Sequence, residues 1–104
     1  MRLLENKVAL ITGASRGIGA AIALAMAEQG ALVAATATTA AGAENISQRL
    51  QAHGLKGKGF VLNLSDDASI KSLFAELQDF GLPNILVNNA GITRDNLLLR
   101  MKAE

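Results

Sequence analysis

The fold is decided by one stretch of sequence, Ile11-Thr12-Gly13-Ala14-Ser15-Arg16-Gly17-Ile18-Gly19. An apolar run precedes it at 8–10 and an alanine-rich segment follows it at 20–29, which predicts a strand, a glycine-rich turn and a helix. The backbone N–H groups in the first turn of a helix lack intrahelical partners and carry partial positive charge, so they attract an anion. Glycine allows both the tight turn and the close approach of an anion, because it has no Cβ atom. The stretch therefore predicts an anion-binding junction between a strand and a helix.

The spacing of the three glycines narrows the type of junction. Gly13, Gly17 and Gly19 follow the pattern G-x-x-x-G-x-G rather than the common G-x-G-x-x-G. A P-loop is excluded, because no Lys-Ser or Lys-Thr pair follows the last glycine. The alternative is a flexible turn before a helix. The apolar strand and the apolar helix on either side favour binding of a dinucleotide's phosphates.

Three segments resemble a known family. Thr12-Gly13-x-x-x-Gly17-x-Gly19 resembles the cofactor motif of the short-chain dehydrogenase/reductase family, and Asn88-Asn89-Ala90-Gly91 is similar to that family's second signature, at the end of its fourth strand. Residues 92–98 resemble the segment that follows this signature in bacterial 3-oxoacyl-[acyl-carrier-protein] reductases. The resemblance covers the whole chain, which stops less than halfway along a typical family member.

Composition limits the class of protein and its partners. With 104 residues, 50% of them apolar, the chain is one domain at most and is not expected to be disordered. The net charge of +1, without runs of like charge, argues against nucleic acid or an anionic membrane as a main partner. There is no cysteine for a disulfide or a thiolate metal site and no apolar run as long as a membrane span, and residues 1–7 are too charged and too short for us to expect a signal peptide there. We expect a cytoplasmic protein without a metal.

Apolar runs alternate with helical periodicity along the chain. Strands are predicted at about 8–12, 32–36, 60–63 and 85–88, helices at about 16–29 and 43–53, and a third helix from a cap at 65–67 to about 81. Residues 55–59 are predicted to form a turn. The helix residues expected to face the sheet are Ile18, Ile22, Ala25 and Met26, then Ile46 and Leu50, then Ile70, Leu73, Phe74 and Leu77.

This alternation predicts an α/β fold with a parallel sheet and right-handed crossovers. Four strands and three helices make the N-terminal, nucleotide-binding half of a doubly wound Rossmann fold, with an expected strand order of 3-2-1-4. Ligands of such sheets bind outside the carboxyl ends of the strands. Residues 1–104 are therefore interpreted as an incomplete half-domain that binds a dinucleotide.

The residues after the second strand bear on the choice of dinucleotide. NAD-binding folds place an Asp or Glu about twenty residues past the glycines to bind the adenosine ribose, but here the position holds Thr36-Ala37-Thr38-Thr39. An acid there would repel the 2′-phosphate of NADP, whereas the guanidinium of Arg16 suits a phosphate. The alternatives are a solvated charge for Arg16 and an ordinary residue before a helix for Thr38. The sequence predicts NADP (NADPH); the resemblance implies that Arg16 and Thr38 hold the 2′-phosphate.

Two further strand ends complete the candidate site. By resemblance Asn63 and Leu64 flank the adenine, or else they form a simple strand-end turn. Asn89 can hydrogen-bond to neighbouring backbone and so brace the sheet, while Ala90 and Gly91 leave room for the cofactor ribose; ordinary turn chemistry is the alternative. The candidate cofactor-binding residues are Gly13, Ala14, Ser15, Arg16, Gly17, Ile18, Gly19, Thr38, Asn63, Leu64, Asn89, Ala90 and Gly91.

The resemblance also implies an activity for a complete protein, the NADPH-dependent reduction of 3-oxoacyl-[acyl-carrier-protein] to its 3-hydroxyacyl form in fatty-acid biosynthesis. In that family a Tyr donates the proton, a Lys lowers the pKa of that Tyr, a Ser positions the carbonyl and an Asn completes the set. This sequence contains no Tyr, and all four positions would fall beyond Glu104. We therefore expect a fragment with no catalytic residue and no activity alone, whose complete form is a homo-oligomer, a tetramer by resemblance.

Two other functions stay open at this point. The complete protein could be another short-chain reductase, acting on a sugar, a steroid or a small ketone. Alternatively, the chain could be a non-catalytic module that binds NADPH or regulates a longer subunit. Assays with acyl-thioester and unrelated ketone substrates distinguish the first alternative from a 3-oxoacyl reductase. An NADPH-dependent shift in thermal unfolding of the chain tests the second.

Overall fold

The computed structural model describes residues 3–89. Within that range the elements are β1 (Val8–Ile11), α1 (Gly17–Glu28), β2 (Leu32–Ala37), α2 (Ala40–Ala52), β3 (Gly57–Val61), α3 (Asp67–Phe80) and β4 (Ile85–Val87). The strands form one parallel sheet in the order β3-β2-β1-β4. The predicted α/β class and strand order are confirmed, and the arrangement is the N-terminal half of a doubly wound fold.

The sheet is covered by helices on both faces. Successive side chains of a strand point to opposite faces, so β1 and β2 contribute to two separate apolar clusters. The cluster under α1 and α2 contains Ala9, Ile11, Ala23, Ala27, Val33, Ala35, Ala37, Ile46 and Leu50 among its buried residues. The cluster under α3 contains Leu10, Ala34, Phe60, Leu62, Ile70, Leu73 and Leu77. The predicted apolar faces of α2 and α3 are confirmed, with Phe74 only half-buried.

The face of α1 that meets the sheet differs from the predicted one. Its buried residues are Gly19, Ala23 and Ala27, spaced four apart. The prediction is wrong for Ile18, which is 73% exposed, and for Ala25, which is also exposed. Ile22 and Met26 pack only partly against the core. The larger residues misled the prediction because small side chains allow a helix to lie close to a sheet, and α1 is apolar on several sides.

The predicted bounds of the second helix and the third strand also need correction. The helix α2 begins at Ala40, three residues earlier than predicted, with Thr39 as its N-cap. The segment predicted as a turn at 55–59 is wrong from Gly57 onward, where β3 begins. A Cβ atom on Gly59 would overlap the backbone carbonyl of Ala43 in α2. The glycines of β3 therefore serve the close approach of a helix and not a turn.

The third helix and the last strand follow the predicted course. The side chain of Asp66 caps α3, its Oδ1 accepting a hydrogen bond of 3.0 Å from the Ala68 N–H. Gly81 follows the helix, and β4 pairs with β1 in parallel from Ile85 to Val87. No helix within residues 3–89 has both the length and the apolar character needed to cross a membrane.

Candidate dinucleotide site

The carboxyl ends of the parallel strands meet at one edge of the sheet, where doubly wound folds bind ligands. A cavity of about 240 Å³ opens there, which we call the carboxyl-end cavity. It is lined by Gly13, Thr36, Thr38, Leu62, Asn63, Leu64 and Ser65. The fold thus brings together residues from the ends of β1, β2 and β3 that lie up to about 50 positions apart in the chain.

The three glycines of the loop between β1 and α1 have different structural roles. Gly13 and Gly17 have φ angles of 65° and 66°, the left-handed region that favours glycine. A Cβ on Gly17 would meet no atom within 4 Å, so its requirement is conformational. A Cβ on Gly19 would overlap the Gly13 carbonyl oxygen and would lie 2.6 Å from Nδ2 of Asn89. Gly19 therefore lets the loop fold back onto the start of α1.

The buried hydroxyl of Thr12 ties this loop to the end of β4. It donates to Oδ1 of Asn88 over 3.1 Å and accepts from the Asn89 N–H over 3.0 Å. The Asn89 side chain in turn donates from Nδ2 to the Gly13 carbonyl over 3.1 Å. Asn89 does brace the backbone as expected from the sequence. Ala90, Gly91 and the segment 92–98 lie outside the described residues.

Thr36 fixes the other side of the loop and is not among the predicted site residues. It is 2% exposed at the end of β2. Its Oγ1 accepts from the Gly13 N–H over 3.2 Å, and its carbonyl accepts from the Ala14 N–H over 2.7 Å. A threonine in the otherwise apolar strand LVAATA was the available sequence signal. A buried hydroxyl needs a partner, and that partner is the loop.

The start of α1 is open to an anion. Arg16 is the exposed N-cap in an extended conformation, its side chain makes no capping hydrogen bond, and the first turn contains no acidic residue. Ala14 is buried and Ser15 is half-buried, while Ile18 projects to the outside. The partial positive charge of the helix end and the guanidinium of Arg16 act together on this side of the loop. The arrangement fits the phosphate groups of a dinucleotide.

The start of α2 lies beside the same cavity. Thr38 is exposed and immediately precedes Thr39, whose Oγ1 accepts from the Gly42 N–H over 3.0 Å. The first turn of α2 contains no acidic residue, and Glu44 is exposed within the helix. No carboxylate among residues 36–42 therefore opposes a phosphate at the end of β2.

Asn63 is engaged in a turn. Its Oδ1 accepts from both the N–H and the hydroxyl of Ser65, at 3.1 and 2.7 Å, and its own N–H donates to Oγ of Ser69 over 2.9 Å. The strand-end turn that the sequence left open is present. Asn63 and Leu64 also line the cavity. Their contact with an adenine stays a prediction.

Comparison with known proteins now identifies the family. Residues 7–104 match the family model described as short chain dehydrogenase. The chain belongs to the short-chain dehydrogenase family. It is 57% identical over 100 residues to the 3-oxoacyl-[acyl-carrier-protein] reductase FabG of Pseudomonas aeruginosa, an alignment that covers 95% of this chain and 40% of that protein.

Two other relatives give the same result. The proteins of that name from Escherichia coli and Vibrio cholerae are 57% and 58% identical over 101 and 102 residues, or 96% and 97% of this chain. They are covered to 40% and 41% of their own length. This short-chain dehydrogenase sequence thus spans about two fifths of the relatives it matches. Membership of the family implies a nicotinamide cofactor, and the open helix end and the carboxyl-end cavity fit one.

Proposed function

We propose that residues 1–104 form the NADP-binding half-domain of a 3-oxoacyl-[acyl-carrier-protein] reductase. The observation that carries this proposal is the 56–58% identity, over nearly the whole chain, to several relatives of that name. The complete protein would reduce the ketone of a 3-oxoacyl thioester to a hydroxyl group. When bound, NADPH supplies the hydride for this reaction.

The chain's own residues bind and orient the cofactor. The backbone N–H groups at the start of α1 receive the pyrophosphate, next to Gly17 and Gly19, as in other doubly wound folds. Arg16 and Thr38 bind the 2′-phosphate that distinguishes NADP from NAD. Support comes from the absence of any carboxylate at 36–42 together with the absence of an acidic residue from the first turn of α1, next to Arg16.

The remaining candidate residues bind the two nucleoside parts. Asn63 and Leu64 lie against the adenine, and their position in the lining of the carboxyl-end cavity supports this. Asn89 braces the backbone beside the cofactor, and by resemblance the small residues Ala90 and Gly91 leave room for the cofactor ribose. The hydrogen bond from Asn89 to the Gly13 carbonyl holds the glycine-rich loop in place and does not involve the N–H groups at the start of α1.

The sequence does not contain the proton donor that the family uses in this reaction. The 104 residues contain no Tyr, so the proton donor of the family would come from a further segment. The substrate is carried by an acyl carrier protein, the complete enzyme is a homo-oligomer, and the reaction takes place in the cytoplasm. These assignments rest on the relatives and on family resemblance.

The test of cofactor binding is Arg16→Ala. We expect NADPH affinity to fall about tenfold or more, about 1.4 kcal/mol, and NADH affinity to be nearly unchanged. Isothermal titration with both cofactors measures the difference. Arg49→Ala is a matched control, because Arg49 is exposed in the last turn of α2 and its loss removes the same charge. Equal losses of NADPH and NADH affinity in Arg16→Ala would contradict the assignment.

The test of the reaction uses the native protein from its own cells. Its intact mass is compared with 10.8 kDa, and its NADPH oxidation is followed with a 3-oxoacyl thioester and with unrelated ketones. A larger protein that prefers the thioester supports the proposal. Preference for a sugar, a steroid or a small ketone would indicate another reductase. A 10.8 kDa product that binds NADPH without oxidising it would indicate a binding module.

A further inference from the structure

Gly42 is an unexpected residue in the first turn of α2. Glycine within a helix costs about 1 kcal/mol relative to alanine, and the chain has alanine at the neighbouring positions 40, 41 and 43. Gly42 is half-buried, and its N–H donates to the capping hydroxyl of Thr39. The helix therefore has a glycine where propensity alone favours alanine, which calls for a steric reason.

The surroundings of Gly42 supply that reason. A Cβ atom at this position would lie 2.8 Å from the Ala37 Cβ, 3.2 Å from Oγ1 of Thr39 and 3.6 Å from the Ser15 Cβ. These atoms belong to the end of β2, the cap of α2 and the glycine-rich loop. The Ala37 methyl is 4% exposed and has no rotamer that would move it aside. A side chain at 42 would therefore push the first turn of α2 away from the Ala37 methyl at the end of β2, while Ser15 lies at ordinary contact distance.

The rest of α2 cannot move with its first turn. The Ala43 carbonyl lies so close to Gly59 that no Cβ fits between them. Ser47 accepts a hydrogen bond of 2.9 Å from the Gly59 N–H, and Ile46 and Leu50 are buried under the helix. The body of α2 is thus fixed on the sheet. A side chain at position 42 would therefore displace the residues that precede it, Thr38 and Thr39.

We propose that Gly42 is a positioning residue for the preference for NADP over NAD. Its missing side chain lets the start of α2 lie against Ala37 at the end of β2, beside the loop at Ser15, and so sets the position of Thr38 relative to Arg16 for one phosphate. Two segments about 20 residues apart in sequence then act as one binding site. This inference rests on the proposed function, in which Arg16 and Thr38 bind the 2′-phosphate.

The experiment is Gly42→Ala in the full 104-residue chain, with dissociation constants for NADP⁺ and NAD⁺ measured by isothermal titration. We expect NADP⁺ affinity to fall about tenfold and NAD⁺ affinity to change less than about twofold, because only NADP⁺ carries the 2′-phosphate. Ala41→Ser is the matched control: it adds one heavy atom to an exposed position of the same turn and should change neither constant.

A rescue variant separates positioning from simple damage. Ala37→Gly combined with Gly42→Ala removes the methyl group that the new side chain would meet at 2.8 Å, and should restore the preference for NADP⁺. If Gly42→Ala alone fails to fold, as judged by circular dichroism, the double variant decides the question. Failure of the double variant to regain the preference for NADP⁺ overturns the inference. A folded Gly42→Ala variant also overturns it if its affinities for NADP⁺ and NAD⁺ fall equally or do not fall.

The wild-type measurement reports separately on the proposed function. If the unaltered chain binds NADP⁺ more tightly than NAD⁺, the proposed cofactor is supported whatever Gly42→Ala does. If the unaltered chain shows no such preference, the proposed cofactor fails, and the inference about Gly42 fails with it. A preference that survives Gly42→Ala unchanged overturns the inference about Gly42 alone.

Discussion

The two edges of the sheet each carry a cavity, and the cavities are similar in size. The carboxyl-end cavity measures about 240 Å³. The cavity at the amino ends of the strands, which we call the amino-end cavity, measures about 260 Å³. It is lined by Glu5, Asn6, Lys7, Val8, Gly30, Leu32 and Lys56. Volume alone would therefore favour neither edge.

The chemistry of the two edges differs sharply. Thr12 and Thr36, the buried polar residues among 3–89, both lie at the carboxyl ends of strands and both hold the glycine-rich loop by hydrogen bonds. At the amino-end cavity the polar side chains of Glu5, Lys7 and Lys56 are exposed to solvent. Burial of a hydroxyl is costly unless it is hydrogen-bonded, so a fold retains it where it positions something. Buried polar groups mark the binding edge better than cavity size does.

The largest effect on this difference between the two edges is expected from Gly19→Ala. The new Cβ would overlap the Gly13 carbonyl and approach Asn89, so we expect a loss of about 3 kcal/mol in the free energy of unfolding. Helix propensity runs the other way, since alanine is favoured over glycine by about 1 kcal/mol. Urea unfolding followed by circular dichroism measures the change. A variant as stable as the wild type would show that the loop is not closely packed on α1.

The matched change near the other edge is Gly54→Ala. Gly54 has a φ of 68°, and a Cβ there would meet no atom within 4 Å. Only the left-handed conformation is unfavourable, so we expect a loss of about 1 kcal/mol in the same measurement. A loss as large as that of Gly19→Ala would contradict the view that close packing distinguishes the carboxyl end.

An effect between those of Gly19→Ala and Gly54→Ala is expected from Thr36→Val, which keeps the shape but removes the hydroxyl. The Gly13 N–H loses its partner, and we expect about 2 kcal/mol less stability. NADP⁺ and NAD⁺ should both bind more weakly and to the same extent, because the loop serves the phosphates common to both. Thr36→Ser keeps the hydroxyl, so its losses of stability and of affinity for the two cofactors should be smaller. If Thr36→Val binds and unfolds like the wild type, the hydrogen bond to Gly13 has no role.

The smallest effect is expected at the amino-end cavity. Lys56→Ala removes an exposed charge from its lining, and we expect the NADP⁺ dissociation constant to change less than about twofold at physiological salt. Isothermal titration beside Arg16→Ala gives the comparison. A tenfold loss would show that the amino-end cavity, and not only the carboxyl end, contributes to binding.

Much of the site was predictable from sequence because it depends on local patterns. The glycine spacing predicts the loop between β1 and α1, and the βα alternation predicts both the strand order and the edge at which ligands bind. The pair Asn88-Asn89 after a buried strand indicated a bracing role, and the hydrogen bond from Asn89 to Gly13 is present. Thr36 was missed because a threonine in a strand carries no sign of which loop it will meet.

Fold class, family and the lack of an acid at the end of β2 could all be derived from the order of residues, since each depends on residue types at short, fixed spacings. Tertiary structure alone decided which residues of α1 are buried, why β3 begins with glycines and why α2 contains Gly42. The physical reason is the same in each case. Ala43 with Gly59 and Gly42 with Ala37 are close approaches between separate elements, and a Cβ that is harmless in one element is excluded by its neighbour.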